Sequence, residues 1–134
     1  MKPGTRPTGV IRTLPWFGAE DGKHNDTEKG KAYQRMMRAI KAIEKGKLEY
    51  FYVALAQQPT KDVLHMYLLV GGKIRVRCNI SGYIAGDQIG NVTCWDDSER
   101  RANWWAVLTA PVSWPPEEIK MRGFQGFRYT EDLW

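Results

Sequence analysis

The sequence predicts a single α+β domain spanning residues 1–134, in which one amphipathic helix accompanies a set of β-strands. A chain of 134 residues has the usual size of one domain and can bury a sizeable core. Hydrophobic residues make up 43% and charged residues 26%, which is typical of a folded globular protein rather than a disordered chain. Apolar residues recur at helical spacing between residues 27 and 46, whereas the other apolar segments are short and rich in β-forming residues.

The first apolar segment, Gly9 to Phe17, predicts a strand followed by an aromatic loop. Val10 and Ile11 favour an edge strand that Pro15 ends. Trp16 and Phe17 follow next to Gly18. Two large aromatic side chains in such a loop either plug the end of the fold or line a pocket.

The helix is predicted between a cap at Asn25, Asp26 or Thr27 and a terminating glycine, Gly46. One face is apolar and carries Tyr33, Met36, Met37, Ile40 and Ile43. The opposite arc carries five cations, Lys31, Arg35, Arg38, Lys41 and Lys45. This arc is either a solvated face or a surface that follows phosphates.

The middle of the chain predicts a buried strand and a hairpin. Leu48 to Ala56 is almost continuously apolar, which is typical of a central strand buried on both faces. Gly71 and Gly72 predict a two-residue turn with positive φ between strands 64–70 and 73–80. On the returning strand the apolar residues are expected on one face, namely Ile74, Val76, Cys78 and Ile80. The other face is expected to carry Lys73, Arg75, Arg77 and Asn79.

The remaining segments predict a loop over 81–90, a short strand over 91–95 and a charged connector over 96–101. The segment 104–112 is expected to be a buried strand, because Pro111 and the prolines that follow would break a helix. Adjacent strand residues face opposite ways, so one ring of Trp104 and Trp105 is expected in the core and the other outside. The final strand, 123–129, contains Gly123 and Gly126, which leave room for a ligand or another backbone.

Two motifs resemble the PUA-like superfamily, in its EVE and ASCH branches. They are the closing segment M-R-G-F-Q-G-F-R-Y preceded by P-P-E-E-I, and the hairpin from Met66 to Arg77. The resemblance covers roughly residues 48 to 130. It implies an α+β fold built as a mixed β pseudo-barrel of five or six strands with one or two rim helices, and recognition of nucleic acid or a modified nucleotide in a cleft.

The ASCH branch includes enzymes that hydrolyse modified nucleosides or RNA, and the resemblance would attribute such an activity to a Lys and an acid in the cleft. Lys73 and Glu49 could take those places. The ASCH pattern G-x-K-x-x-E-x-R is broken, because Val76 stands where the acid should be and Cys78 where the Arg should be. No catalytic residue is therefore assigned. A hydrolase acting on a modified nucleoside or RNA is the first alternative function, and a protein-interaction module using exposed aromatics is the second.

The principal prediction is a domain that binds RNA or DNA and recognises a single base, modified or not, in an aromatic cleft. The net charge of +5 favours a polyanionic partner. Bases stack on aromatic rings and guanidinium planes, and an amide such as that of Gln125 can donate to and accept from a base edge. The ligand-binding candidates are Trp16, Phe17, Trp104, Trp105, Phe124, Gln125 and Phe127. The candidate phosphate-contacting cations are Lys73, Arg75, Arg77, Arg35, Arg38, Arg122 and Arg128.

Several classes of site are not expected. The chain has no C-x-x-C or H-E-x-x-H spacing, no P-loop and no G-x-S-x-G motif, so no metal or cofactor is predicted. Cys78 and Cys94 are expected to be buried thiols of a reducing compartment, with a disulfide between neighbouring strands as the alternative. No apolar run is long enough to cross a bilayer and no secretory signal is recognisable, which predicts a cytoplasmic protein without a membrane partner.

Overall fold

A computed structural model of the protein describes residues 6–14, 28–90, 92–93 and 99–134, and most of the regular structure is β-strand. The elements, in chain order, are β1 (Gly9–Thr13), α1 (Glu28–Glu44), β2 (Phe51–Leu55), β3 (His65–Val70), β4 (Lys73–Ala85), α2 (Gly86–Ile89), β5 (Val92–Thr93), β6 (Glu99–Arg100), β7 (Trp104–Ser113) and β8 (Phe127–Thr130).

Six strands form one mixed sheet in the order β2-β7-β4-β3-β1-β8, and β5 pairs with β6 in a separate ribbon. Strand β1 runs parallel to β3 and antiparallel to β8, whereas the other pairs in the large sheet are antiparallel. The sheet curls into a half-barrel. Arg12 of β1 donates from Nε to the carbonyl of Ala54 on β2 over 3.2 Å, although three strands lie between β1 and β2. The predicted mixed sheet of strands with helices is thereby confirmed at this level.

The inner face of the sheet packs against helix α1. Met36, Ile40 and Ile43 of the helix are almost fully buried in the main core cluster, which confirms the predicted apolar face at these positions. Helix α1 ends at Glu44, and Gly46 follows as the predicted terminating residue, with φ of 74°. The amide of Gly46 donates to the carbonyl of Ile43 and that of Lys47 donates to Ala42, the pair of bonds that defines a Schellman motif.

The outer face carries a second, smaller cluster. Four of its residues are buried, namely Ile11, Tyr67, Leu69 and Ile74. Partly buried residues of the segments 119–124 and 133–134 cover them, namely Ile119, Met121, Phe124, Leu133 and Trp134. The carboxyl-terminal segment is fixed by a hydrogen bond of 2.9 Å from the Leu133 amide to the Tyr67 hydroxyl.

Two strand positions differ from the sequence-based expectation. Strand β1 is not an edge strand, since it pairs with β3 on one side and β8 on the other. The segment over 48–56 is not a central strand buried on both faces, because β2 lies at the edge of the sheet and its burial alternates. The strand with continuous burial is β3, whose residues Met66 to Val70 are all buried.

The hairpin is confirmed, with φ of 63° at Gly71 and 76° at Gly72. A register shift between Leu68 and Leu69 pairs Val76 with Leu68 but Ile74 with Leu69. Since Ile74 consequently packs in the outer cluster and Val76 in the inner one, the predicted single apolar face of this strand is wrong at Ile74.

The predicted loop over 81–90 is also wrong. Strand β4 continues to Ala85, which pairs with Trp104, and helix α2 follows. The long partner strand β7 offers pairing along this whole stretch, and a register shift between Ile80 and Gly82 accommodates the glycine. The predicted charged connector contains the short strand β6.

Strand β7 confirms the predicted strand over 104–112, and Trp105 is the fully buried member of the tryptophan pair while Trp104 is half-buried. The closing strand is shorter than expected, because β8 begins at Phe127 and residues 123–126 are not in a strand. Cys78 is a buried free thiol, and Cys94 lies outside the described residues. In the described chain, no helix has the length and apolarity needed to span a membrane.

Candidate functional site

A cavity of about 610 Å³ opens where β1 ends. This volume falls within the range of roughly 300–1,000 Å³ that is usual for small-molecule sites. Three parts of the chain meet there: the end of β1, the β3–β4 turn and the segment that precedes β8. The lining residues are Arg12, Thr13, Leu14, Gly71, Gly72, Gly123, Phe124, Gln125 and Gly126.

The sheet topology brings these parts together. Because β1 and β3 are parallel neighbours, their carboxyl ends lie at the same edge, where the Leu14 amide donates to the carbonyl of Leu69 over 2.9 Å. The segment before β8 runs beside the same turn, since the Met121 amide donates to the carbonyl of Gly72 over 2.9 Å. The cavity is therefore framed by main-chain hydrogen bonds rather than by side-chain packing alone.

Residues of β1 hold the segment 123–126 at both ends. The Phe124 amide donates to Thr13 Oγ1 over 3.2 Å, and Arg12 Nη1 donates to the carbonyl of Gly126 over 3.4 Å. Glycine is required at Gly126, where φ is 73°. At Gly123 an added Cβ would lie 3.2 Å from the Thr13 methyl group, so the backbone approaches β1 closely there.

Arg12 places a half-buried cation in the cavity wall. Besides the bonds to Ala54 and Gly126, its Nη1 donates to the carbonyl of Thr13 over 2.6 Å. Burial lowers the pKa of the Arg12 guanidinium, which nevertheless stays charged because its usual value is so high. Among the described residues no carboxylate forms an ion pair with Arg12, and no acceptor binds its Nη2 amino group.

Phe124 and Gln125 give the cavity an aromatic ring and an amide. The Phe124 ring is half-buried against the outer cluster, and the Arg128 guanidinium lies 4.1 Å from its centroid. Gln125 is exposed, and its amide makes no hydrogen bond to any residue that the structure describes. The site thus combines an aromatic plane and a guanidinium plane with an amide that can donate and accept.

The structure separates the other aromatic candidates from this cavity. Phe127 packs against the inner core and lies 5.4 Å from the Tyr129 ring. Trp105 is fully buried, so its ring has no face open to a ligand, and the predicted binding role does not fit it. Trp104 lines a different depression near helix α2. Trp16 and Phe17 lie outside the described residues, and their predicted role stays a prediction.

The candidate cations fall into two groups. Arg122 and Arg128 are exposed beside the segment 123–126, and Arg38 is exposed on α1. The cations at the start of β4 have protein partners. Lys73 Nζ lies 2.9 Å from Glu118, whose pKa is lowered by that hydrogen bond, so the partner of Lys73 is not Glu49.

The two arginines of β4 are engaged as well. Arg75 Nε donates to the carbonyl of Val70 over 2.8 Å. Arg77 Nη1 donates to the main-chain oxygen of Trp134 over 2.6 Å. The side chain of Arg35 lies outside the described part of the chain.

Sequence reasoning missed Arg12 and Thr13. A signal existed, since Arg12 is a charge within the apolar run V-I-R-T-L of a strand. A cation in such a run either reaches solvent or donates to buried acceptors. Arg12 does the second, since its half-buried guanidinium donates to main-chain carbonyls.

Among the described residues, no group of three or more His, Cys, Asp or Glu side chains is placed to hold a metal ion. Comparisons with protein-family models, with curated proteins and with solved structures found no match to this chain.

Proposed function

We propose that the protein is a nucleic-acid-binding domain of the PUA-like type that holds one base in the cavity at the end of β1. The observation that carries this proposal is the combination of Arg12, Phe124 and Gln125 around one opening of about 610 Å³. The curled six-stranded mixed sheet with its accompanying helices agrees with a PUA-like pseudo-barrel.

The lining suits a base because a base is flat, apolar on its faces and polar at its edge. Stacking on an aromatic ring accepts any base, and Phe124 offers such a ring in the cavity wall, with the Arg128 guanidinium 4.1 Å from its centroid. The unengaged amide of Gln125 can form hydrogen bonds with the edge. Gly123 and Gly126 allow the base to approach the main chain.

The nucleic-acid strand that carries the base would contact the exposed cations next to the opening of the cavity. Arg122 and Arg128 flank the segment 123–126, and the chain has a net charge of +5. Phosphate contacts of this kind release counterions, so affinity is expected to fall steeply as salt is raised.

The proposal is tested by fluorescence anisotropy with labelled single-stranded RNA and DNA across a salt series. Gln125→Ala is expected to weaken binding by about 1–3 kcal/mol, the value of one good edge contact. Phe124→Leu, which keeps an apolar side chain but removes the aromatic plane, is expected to cost about 1–3 kcal/mol. Trp16→Ala extends the test to an aromatic residue that the sequence predicts as a stacking partner, with the same expected loss of about 1–3 kcal/mol if its ring stacks on the base.

The matched control is Gln57→Ala, which removes another exposed glutamine amide, in the connection that follows β2. It is expected to leave affinity unchanged. The proposal fails if no strand binds at low salt, or if Gln125→Ala and Gln57→Ala have the same effect.

A further inference from the structure

Among the lining residues that the structure describes, Arg12 is the one with a charged side chain. Its guanidinium is half-buried on the side of the sheet that carries Val10 and Leu14 of the inner cluster, and the described residues supply only main-chain carbonyls to it. A guanidinium has five N–H donors and no acceptor. Whatever group enters the cavity beside Arg12 therefore has to present acceptors to it.

Part of the guanidinium is available to such a group. Nε–H is committed to Ala54, and Nη1 makes a short bond of 2.6 Å to Thr13. The second Nη1 bond, to Gly126, is long at 3.4 Å, and Nη2 has no acceptor among the described residues. Nη1 and Nη2 can consequently form a fork toward two neighbouring acceptors, with the loss of one weak internal bond.

The four bases differ in whether they can meet such a fork. Guanine presents two adjacent acceptors, O6 and N7. Adenine presents N7 next to an amino donor, which would face the donors of Arg12. Uracil or thymine presents single acceptors on either side of its N3–H donor. Unpaired cytosine presents two adjacent acceptors, N3 and O2, and differs from guanine in offering one ring rather than two for stacking.

We propose that the base held in this cavity is guanine, with Arg12 as the specificity-determining residue at its O6/N7 edge. This inference rests on the proposed function and adds the identity of the base. Guanine O6 and N7 accept from the Arg12 fork, while Gln125 Oε1 accepts from the guanine N1–H or amino group. Phe124 supplies the stacking surface, which overlaps more with the two rings of guanine than with the single ring of cytosine.

The first experiment measures the affinity of the unmodified protein for single strands that differ only in one base, G, A, C or U/T. Abasic positions flank this base on both sides. The guanine strand is expected to bind about five- to 150-fold more tightly than the adenine and the uracil or thymine strands, the range of one bidentate base contact. It is also expected to bind more tightly than the cytosine strand, because two rings stack better than one. A strand with no base at the central position is expected to bind most weakly. Equal affinity for all four bases and the abasic strand would mean that Arg12 contacts the backbone, and the inference would be overturned.

Base analogues remove the two acceptors one at a time. The analogue 7-deazaguanine lacks N7 and 2-aminopurine lacks O6, and each is expected to lose most of the guanine preference. Hypoxanthine keeps both O6 and N7, so a strand that carries it is expected to keep the affinity advantage that depends on Arg12. A guanine preference that survives in both 7-deazaguanine and 2-aminopurine would place another residue at the reading edge and contradict the role of Arg12.

Arg12→Lys provides the variant test, because lysine keeps the charge but loses the planar fork. Its affinity ratio of guanine to 2-aminopurine is expected to fall toward one, while Arg38→Lys, an exposed control on α1, keeps the ratio of the parent protein. A thermal melt of each variant shows whether it is folded, and the analogue series remains decisive if Arg12→Lys is not.

Competition with free guanosine monophosphate distinguishes a guanine in a strand from a free nucleotide. Displacement only by millimolar nucleotide supports a base within a strand, and displacement at the concentration of the strand itself supports a nucleotide site that still reads guanine. If no strand binds at all, the proposed function fails together with the inference. If strands bind without preference for guanine, only the inference fails.

Discussion

On its inner face the curled sheet packs against helix α1, whereas on its outer face it is covered by the extended segments 119–124 and 133–134. Among the described residues, the inner cluster contains sixteen buried ones, including Trp105 and three residues of the helix, and the outer cluster contains four. Burial of apolar area is the main favourable contribution to folding, so most of the stability is expected from the inner face.

The outer cover has a second role that the inner face does not have. Phe124 belongs to the outer cluster and also lines the cavity, and the segment that contains it is held by Thr13 and Arg12. The comparison indicates that the inner face maintains the fold, while the lightly covered outer face positions the site. Four measurements test this division, from the largest expected effect to the smallest.

The reactivity of Cys78 reports how well the inner face is sealed. Burial raises the pKa of the Cys78 thiol from 9.0 to about 12, which lowers its thiolate fraction near pH 8 by roughly a thousand-fold. In a Cys94→Ser background, alkylation by iodoacetamide is expected to be at least that much slower in the native protein than in urea. Native labelling within roughly tenfold of the denatured rate would show that the inner face is open.

Trp105→Ala tests the energetic weight of the inner face. The side chain is fully buried, and its removal is expected to lower the free energy of unfolding by about 3–5 kcal/mol. Urea denaturation followed by circular dichroism gives the value. Trp104→Ala, at the half-buried neighbour, serves as the control and is expected to cost less. A loss below about 1 kcal/mol for Trp105→Ala would contradict the assignment of the core.

Trp134→Ala tests the outer cover. The indole donates to Ser113 Oγ over 2.7 Å and packs edge-to-face on Tyr67, with ring centroids 5.0 Å apart. Because the side chain is only partly buried, the expected loss is about 1–2 kcal/mol. Ser113→Ala removes the hydrogen bond alone and is expected to account for the smaller part. If Trp134→Ala were as costly as Trp105→Ala, the two faces would contribute equally and the comparison would fail.

His65 gives the smallest effect, through pH. Burial, followed by the charge of Arg77, lowers the pKa of His65 below 6.5, although Asp132 at 3.1 Å from Nε2 acts in the opposite direction. As pH falls below 6.5, the unfolded chain therefore binds more protons than the folded one, and stability decreases.

The melting temperature is accordingly expected to be lower at pH 5.0 than at pH 7.5, because the folded state holds the histidine neutral. His65→Gln is expected to show a smaller decrease over the same interval. Asp132, whose pKa is lowered mainly by the hydrogen bond from Thr8, loses its contribution only below its ordinary value of 3.8 and does not disturb this window. An identical decrease of the melting temperature in both proteins would show that His65 does not cause the pH dependence.

The features predicted correctly from the sequence depend on local chemistry. Gly46 and Gly71–Gly72 take the positive φ values that their positions require, and the apolar spacing of Met36, Ile40 and Ile43 defines the buried side of α1. Phe124, Gln125, Gly123 and Gly126 line one cavity, and their predicted role in binding a ligand stays a prediction.

The features that were missed depend on pairing between distant segments. From apolarity alone, β1 was predicted at the edge of the sheet and β2 in its interior, whereas the structure shows the reverse. The order of strands in a sheet is set by partners far away in the chain. The bulge that moves Ile74 to the outer face arises from the match between β3 and β4, and has no mark in the alternating pattern itself. Arg12 was overlooked for the same reason, since its role follows from the strands on both sides of it.

The side chains that reach β2 also bear on how the protein avoids self-association. Arg12 donates to the carbonyl of Ala54, and Asn103 Nδ2 donates to that of Ala56 over 3.2 Å. Ala54 lies in the edge strand β2, and Ala56 follows the end of this strand. An edge with free carbonyls is a template on which a second chain can add a strand and start aggregation. With these two acceptors occupied, that template is interrupted at the end of β2, and the addition of a strand from a second copy at this edge is expected to be less favourable.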